Sequence, residues 1–116
     1  MGLTRVAIKI KNMETGKEVT LIVDTGSLLT WISRKTLEEL GIKPRRMRRI
    51  KTTSGEIVER RTGLVTIEFE GNEADVEGVF AEESDAEVLG VIALESLGYT
   101  VNPITNKLEY IGYIAF

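Results

Sequence analysis

Residues 21–33 read LIVDTGSLLTWIS, an apolar stretch interrupted by a carboxylate and a short polar turn. Burying a carboxylate costs several kcal/mol unless the group finds a partner or shifts its pKa. Asp24 therefore either serves a local turn or takes part in chemistry that benefits from an apolar surrounding. The rest of the chain bears on which interpretation holds.

The length of the chain predicts one domain, residues 1–116, because 116 residues suffice for one hydrophobic core and are too few for two ordinary domains. A hydrophobic fraction of 42% is typical of globular proteins. No apolar run approaches the roughly 18 residues that suggest a membrane span. The first residues, MGLTRVAIKI, alternate apolar with charged side chains and do not form a signal-peptide block, so we expect a cytoplasmic location.

Cysteine and histidine are both absent. This excludes disulfides, thiol nucleophiles and thiolate metal sites, and also an imidazole general base or a histidine metal ligand. Catalysis at moderate pH must then use carboxylates, lysines, tyrosines or backbone dipoles, and we expect neither metal nor cofactor. Glutamine is absent too, and abundant Glu, Lys and Arg are typical of thermophilic proteins.

The net charge of −3 is unevenly distributed. Residues 43–51, KPRRMRRIK, hold six basic side chains, whereas residues 68–87 are acidic and contain no basic side chain. The basic run indicates either a nucleic-acid patch or a solvated loop and strand edge whose charge prevents edge-to-edge pairing. The second interpretation is favoured, because no aromatic residue is interleaved to stack on bases and the pI is about 5.1.

Hydrophobic periodicity predicts a mostly β protein with one or two short helices. Alternation at Val6, Ile8 and Ile10 indicates a half-buried strand, followed by a turn at 12–17 and a second strand at 18–25. Ser33 is a candidate N-cap for a short helix that ends at Gly41. Further predicted elements are a hairpin at 50–61, strands at 64–70 and 74–81 joined by Gly71-Asn72, a helix at 93–98, and a C-terminal hairpin with arms at 99–102 and 108–114.

Two segments that are distant in the sequence share one pattern: an apolar pair followed by Asp24-Thr25-Gly26-Ser27, and Val88-Leu89 followed by Gly90. With the glycine-tipped hairpin around Ser54 and Gly55, they resemble the aspartic protease superfamily, and in size its single-domain, retroviral-type (retropepsin-like) members. The resemblance covers most of the chain. It implies a closed, barrel-like acid protease fold, an obligate homodimer and an aspartic endopeptidase activity.

The resemblance implies that Asp24 supplies one carboxylate of a catalytic pair. The other aspartates, Asp75 and Asp85, are not followed by a Thr-Gly or Ser-Gly turn, so the second carboxylate is expected from Asp24 of another subunit across a two-fold axis. An extended peptide or protein is the implied substrate.

The three residues after Asp24 have separate implied roles. Thr25 is expected to hydrogen-bond to the partner's loop, and Gly26 to bring its N–H close to the carboxylate. Ser27 is expected to donate to the outer carboxylate oxygen, which favours the ionised form and predicts an acid-shifted pH optimum.

Residues 50–61 are the candidate flap, a hairpin that closes over an extended peptide and excludes water; an ordinary exposed hairpin is the alternative. Leu89 and Gly90 are expected to support the active-site loop. The groove is expected to favour apolar side chains through Leu28, Leu29, Ile50 and Ile57. The candidate substrate-binding residues are Leu28, Thr52, Thr53, Ser54, Gly55 and Glu56.

Two features depart from the retroviral pattern. Leu28 and Val91 stand where retroviral enzymes usually carry an Asp–Arg ion pair; because both are replaced together, no orphan charge remains and an apolar contact is expected. Residues 1–4 are too short to supply the N-terminal strand of a retroviral dimer. The C-terminal hairpin is therefore the expected interface, with its rings packing in the monomer core as the alternative; the rings are Tyr110, Tyr113 and Phe116.

Three functions fit these patterns. The favoured one is a homodimeric aspartic endopeptidase that cleaves extended, largely apolar segments. The second is a retropepsin-fold module that binds peptides or ligands, or assembles, with little or no turnover, since a fold does not guarantee an activity. The third, a nucleic-acid-binding barrel using residues 43–51, is disfavoured.

Overall fold

The chain folds into short strands around one apolar core, as described by a computed structural model for residues 3–113. Within these residues the strands are β1 (Arg5–Asn12), β2 (Thr15–Val23), β3 (Thr30–Ser33), β4 (Arg46–Lys51), β5 (Ile57–Phe69), β6 (Asn72–Ala81), β7 (Val88–Leu89), β8 (Tyr99–Val101) and β9 (Leu108–Tyr110). The helices are α1 (Arg34–Glu39) and α2 (Val91–Leu97). The predicted mostly β architecture with two short helices is confirmed.

A single twisted sheet closes on itself. Its seven strands run in the order β1-β2-β7-β3-β6-β5-β4, and β1 also pairs with β5. The β1–β5 pairing closes a barrel and leaves β4 as a strand bound on one side only. The expected closed, barrel-like fold is confirmed, and the basic segment lies on an edge strand as the favoured interpretation predicted.

The barrel interior is filled by the inward-facing residues of alternating strands. Ile8 and Ile10 of β1, Leu21 of β2 and Ile67 of β5 are fully buried, while their neighbours along each strand are more exposed. The period-2 pattern in the sequence therefore decides which face of each strand enters the core. Leu37 of α1 and Leu97 of α2 complete the same cluster.

Strand β5 is longer than predicted, since residues 57–69 form one strand where two were expected. Gly63 lies between these two expected elements, and it is buried within the strand. A β-carbon there would lie 2.7 Å from the Lys43 carbonyl oxygen, so the glycine permits a close approach of the chain before β4. Two turns also differ from their predicted positions. The turn expected at residues 12–17 is the tight Met13-Glu14 connection, and the turn expected at Gly71-Asn72 is Glu70-Gly71.

The helix ends confirm one prediction and correct another. Gly98 ends α2 in the left-handed conformation at φ 86°, as its position predicted. Ser33 is the N-cap residue of α1, but its side chain makes no capping hydrogen bond. Ser33 instead uses its backbone N–H, which donates to the Glu87 carboxylate at 2.9 Å.

The C-terminal hairpin forms a separate two-stranded sheet, β8–β9. Tyr99 is buried and contacts Phe69 and Tyr110 edge-on, with ring centroids 5.0 and 5.4 Å apart. The predicted hairpin is thus confirmed, although Ile114 and Phe116 lie outside the described residues. Within those residues, neither helix has the length and apolarity required to cross a membrane.

Candidate active site

Asp24 begins the loop between β2 and β3, at the point where β2 leaves the sheet. Its backbone N–H donates to the Leu89 carbonyl at 3.0 Å, and its own carbonyl accepts from Ser27 N–H at 3.1 Å. The second bond closes a tight turn over residues 24–27. The Asp24 carboxylate is therefore held by a turn anchored to the neighbouring strand β7, and the side chain itself is half-buried.

Gly26 brings its amide to the carboxylate as predicted. Its N–H donates to Asp24 Oδ1 at 3.0 Å. A β-carbon at Gly26 would lie 3.2 Å from the same oxygen, which is closer than most real contacts. A hydrogen bond from a backbone N–H fixes the orientation of the carboxylate.

The hydroxyl of Ser27 does not have the predicted partner. It donates to the Leu29 carbonyl at 2.7 Å and not to the Asp24 carboxylate. The reason is local: the chain bends at residues 28 and 29, which brings the carbonyl two residues later to the side chain. In this arrangement Ser27 stabilises the loop.

Leu89 and Gly90 support the loop as expected. Besides the bond from Asp24 N–H to the Leu89 carbonyl, Gly90 N–H donates to the buried Thr30 hydroxyl at 3.0 Å. A β-carbon at Gly90 would overlap the Leu29 carbonyl, so only glycine allows the two segments to touch. Val91 N–H then donates to the Ser27 carbonyl at 2.8 Å. The start of α2 therefore rests directly on the loop that carries Asp24.

An open cavity of about 620 Å³ lies between the Asp24 loop and the β4–β5 hairpin. The hairpin contributes its tip, where Thr52 N–H donates to the Glu56 carbonyl at 2.8 Å and Gly55 adopts a positive φ of 88°. Gly55 itself is exposed and is absent from the lining. The predicted site residues that line the cavity are Asp24, Gly26, Ser27, Leu28, Thr52, Thr53, Ser54 and Glu56. Thr25 lies elsewhere.

The apolar lining differs from the prediction. Of Leu28, Leu29, Ile50 and Ile57, only Leu28 lines the cavity. The sequence interpretation missed Trp31, Ala86 and Val88, which do. The signal for Trp31 was available: it alternates with the buried Thr30 and Ile32 along β3, so it must face away from the core.

Charged side chains form one side of the cavity, and sequence reasoning missed them as well. Arg60 of β5 and Asp85 of the β6–β7 loop form a bidentate ion pair, with Nε to Oδ2 at 2.7 Å and Nη2 to Oδ1 at 3.0 Å. The Arg60 guanidinium is the main cause that holds the pKa of Asp85 below its usual value, against the opposing effect of burial. No sequence signal joins these two residues.

The carboxylates near Asp24 do not form a metal site. Among residues 3–113, no cluster of three or more acidic side chains has an arrangement suited to a metal ion. Asp85 is occupied by Arg60, and Glu56 lies exposed at the hairpin tip. Among the described residues, the Asp24 carboxylate is thus oriented by a backbone amide and has no cationic partner.

A second hollow of about 430 Å³ lies on the other side of the Asp24 loop, and Thr25 is one of the residues that line it. Its remaining lining comes from α2, β8 and the residues after β9, including Ile111 and Tyr113. Tyr110, Ile111 and Tyr113 are 57%, 50% and 69% exposed. Tyr113 is therefore not part of the monomer core, whereas the half-exposed Tyr110 lies at the edge of the core with its ring against the buried Tyr99.

Comparison with known proteins finds similarity of two kinds, in sequence and in fold. Residues 6–100 match the family model described as aspartyl protease. The fold matches the structure of EIAV protease complexed with the inhibitor HBY-793, with a TM-score of 0.65 at 20% identity over 84% of this chain and 89% of that chain. A sequence search of curated proteins found no match.

Proposed function

The chain belongs to the aspartyl protease family, and on that premise we propose that it is a homodimeric aspartic endopeptidase in which each subunit contributes one Asp24. The observation that carries the proposal is the environment of the Asp24 carboxylate. It is half-buried, oriented by Gly26 N–H, and borders a cavity large enough for peptide side chains.

The need for a second subunit follows from the carboxylates available in one chain. Asp75 accepts a hydrogen bond from Thr66 on the exposed β5–β6 surface, and Asp85 is bound by Arg60. Among the described residues, neither aspartate is available to share a proton with Asp24. A two-fold axis beside the Asp24 loop would bring two identical loops together, which is the self-complementary contact of a symmetric dimer.

The chemistry follows from placing two carboxylates together. Like charges about 3 Å apart do not both ionise, so the pair shares one proton. The ionised member takes a proton from water as the water oxygen attacks the scissile carbonyl carbon, and the protonated member donates to the carbonyl oxygen. The roles then reverse, and the leaving amine receives a proton as the C–N bond breaks.

The hairpin around residues 50–61 acts as a flap in this proposal. Its tip lines the same cavity as Asp24, through Thr52, Thr53, Ser54 and Glu56. Closure over an extended peptide would exclude water and supply backbone hydrogen bonds to the substrate. Leu28, Trp31 and Val88 give the cavity an apolar side, which favours substrates with apolar residues beside the scissile bond.

The exposed apolar surface next to Thr25 supports the position of the axis. Ile111 and Tyr113 lie at the rim of the hollow into which Thr25 opens, and they are too exposed to serve the monomer core. Aromatic side chains are enriched at subunit interfaces because they bury a large area on association. In this proposal Thr25 approaches the partner's loop while the C-terminal hairpin covers the surrounding surface.

The test is a subunit-mixing experiment. Wild-type protein at a fixed amount is mixed with increasing Asp24→Asn protein and allowed to exchange subunits, and cleavage of an unfolded protein is followed between pH 4 and 7. If both carboxylates are required, activity falls in proportion to the wild-type share of the chains. Asp75→Asn is the matched control, because it removes a carboxylate that hydrogen-bonds to Thr66 outside the cavity.

Three results would contradict the proposal. If the wild-type protein shows no cleavage that a statine-type inhibitor can block, the result would favour a binding or assembly module. Activity that persists in pure Asp24→Asn protein would place the chemistry elsewhere. Activity that is insensitive to mixing would show that one Asp24 is enough.

A further inference from the structure

We propose that Arg60 and Asp85 are positioning residues that hold the flap against the side of the substrate cavity and so set the width of the cleft before a peptide binds. The inference rests on the proposed function for its kinetic test, but not for its structural test. It concerns residues 82–87, here called the wall loop, and the arm of the flap in β5.

The ion pair joins two segments that are distant in the sequence and that belong to different elements of the fold. Arg60 lies in β5, close to the flap tip, whereas Asp85 lies in the wall loop between β6 and β7. Both side chains line the cavity that contains Asp24. The pair is also shielded from solvent, with side-chain exposures of 18% for Arg60 and 14% for Asp85. A bidentate, partly buried pair has a fixed geometry, unlike a surface contact between flexible side chains.

The wall loop is a firm anchor for this contact. Asp85 Oδ2 accepts from Glu82 N–H at 2.8 Å, and Asp85 N–H donates to the Glu82 carbonyl at 2.9 Å, so the side chain that binds Arg60 also closes its own turn. At the other end of the loop, the Glu87 carboxylate accepts from Ser33 N–H at 2.9 Å. Because the loop is tied to the barrel, Arg60 can restrain the flap against it.

The hairpin carries a second ion pair of similar geometry that does not reach the cavity. Arg48 of β4 lies directly opposite Arg60 in the strand register, so two guanidinium groups share one face of the hairpin. Arg48 binds Glu77 of β6 through Nε and Nη2 at 2.7 and 2.9 Å. Glu77 is absent from the lining of the Asp24 cavity. The Arg48–Glu77 pair therefore serves as a control: it has the same chemistry as the Arg60–Asp85 pair but attaches the hairpin to β6 and not to the wall loop.

The consequence for binding is preorganisation. With Arg60 held by Asp85, the part of the flap that remains free to move is its tip, and the base of the cleft keeps its width. A site held in its binding geometry loses less conformational entropy when a peptide binds. Loss of the contact should therefore weaken substrate binding while the chemical step in the closed complex stays the same.

The kinetic test compares Asp85→Asn with Glu77→Gln in the full chain. Asp85→Asn should raise KM for an extended peptide about tenfold with kcat within about twofold of wild type, because the interaction is made before the transition state. Glu77→Gln, which breaks the other pair, should lower thermal stability and leave KM unchanged. Arg60→Lys keeps the charge but loses the planar fork, and should give an intermediate KM.

The structural test needs no enzymatic activity. Amide hydrogen exchange in residues 50–61 should accelerate about tenfold in Asp85→Asn and not in Glu77→Gln, since local opening controls exchange. Trp31 is the chain's only tryptophan and lines the same cavity, so its fluorescence should become more accessible to acrylamide in Asp85→Asn alone.

The outcomes separate the two proposals. Wild-type protein without protease activity, but with faster flap exchange in Asp85→Asn alone, would overturn the proposed function and support the positioning role. Equal KM or exchange changes in Asp85→Asn and Glu77→Gln would overturn the positioning role, because both pairs would then merely stabilise the sheet. Unchanged KM and exchange in a folded Asp85→Asn protein would also overturn it.

Discussion

The backbone N–H of Asp24 donates to the carbonyl of Leu89 at 3.0 Å, which joins the two halves of the sequence motif through the main chain. The contact is possible because Gly90, the next residue, has no β-carbon to collide with Leu29. The position of the candidate catalytic carboxylate thus depends on backbone geometry at a distant glycine.

Gly90→Ala should unfold or strongly destabilise the protein. The new β-carbon would overlap the Leu29 carbonyl and lie 2.9 Å from the Ser27 carbonyl oxygen, and both groups belong to backbone that cannot move without breaking the Asp24 turn. We expect a loss of at least about 3 kcal/mol in the free energy of unfolding, measured by urea denaturation. Gly55→Ala is the control: it has a positive φ but no atom within 4 Å, so it should cost only about 1 kcal/mol. Equal losses would contradict the steric argument.

Ser27→Ala should affect stability more than the pH dependence of activity. The hydroxyl donates to the Leu29 carbonyl at 2.7 Å, so its removal should cost about 1 kcal/mol in the free energy of unfolding. The acid limb of the pH–rate profile should keep its position, because the hydroxyl has no bond to the Asp24 carboxylate. A displaced acid limb would restore the role that the sequence pattern implied for Ser27.

The two halves of the motif were recognisable from sequence because short-range chemistry defines them. A carboxylate followed by Thr-Gly specifies a turn that bonds to its own side chain, and alternating apolar residues specify which strand face is buried. The hairpin at residues 50–61 was likewise encoded locally, by a glycine-containing tip between two alternating runs. These features need no information about distant partners.

The ion pairs and the length of β5 could not be predicted in the same way. Arg60 had many carboxylates available along the chain, and only the closed barrel decides that Asp85 is the one beside it. Gly63 lies between the two predicted strand segments, but tertiary contact with Lys43 makes it a point of close approach within one continuous strand. For the Ser27 hydroxyl, the Asp24 carboxylate and the Leu29 carbonyl are both nearby acceptors in the sequence. The bend at residues 28 and 29 determines that the hydroxyl donates to Leu29.

Acidification should remove the stabilisation contributed by Glu77. Arg48 is the main cause that lowers the pKa of Glu77 from its ordinary value of 4.5 to about 2. Because the folded-state pKa is the lower one, the stabilisation is fully present above about pH 4.5 and is lost as the pH falls toward 2. Glu77→Gln should therefore cost roughly 1–2 kcal/mol at pH 7, after allowance for solvent screening of the partly exposed Arg48, and almost nothing at pH 2. Denaturation curves at both pH values measure this, and an equal cost at both would contradict the linkage.

Tyr113→Asp should convert a dimer into monomers and abolish protease activity together with dimerisation. Tyr113 is 69% exposed at the rim of the hollow into which Thr25 opens, so the proposed two-fold contact would bury it next to the Asp24 loops. A carboxylate at that position would be desolvated without a partner on association, which opposes assembly.

Met13→Asp is the control, because Met13 is 94% exposed in the β1–β2 turn, outside the lining of both hollows beside the Asp24 loop. Sedimentation velocity and peptide cleavage should show wild type and Met13→Asp as active dimers and Tyr113→Asp as an inactive, folded monomer. An active Tyr113→Asp dimer would place the subunit contact on another surface, whereas an active monomer would remove the need for a second Asp24.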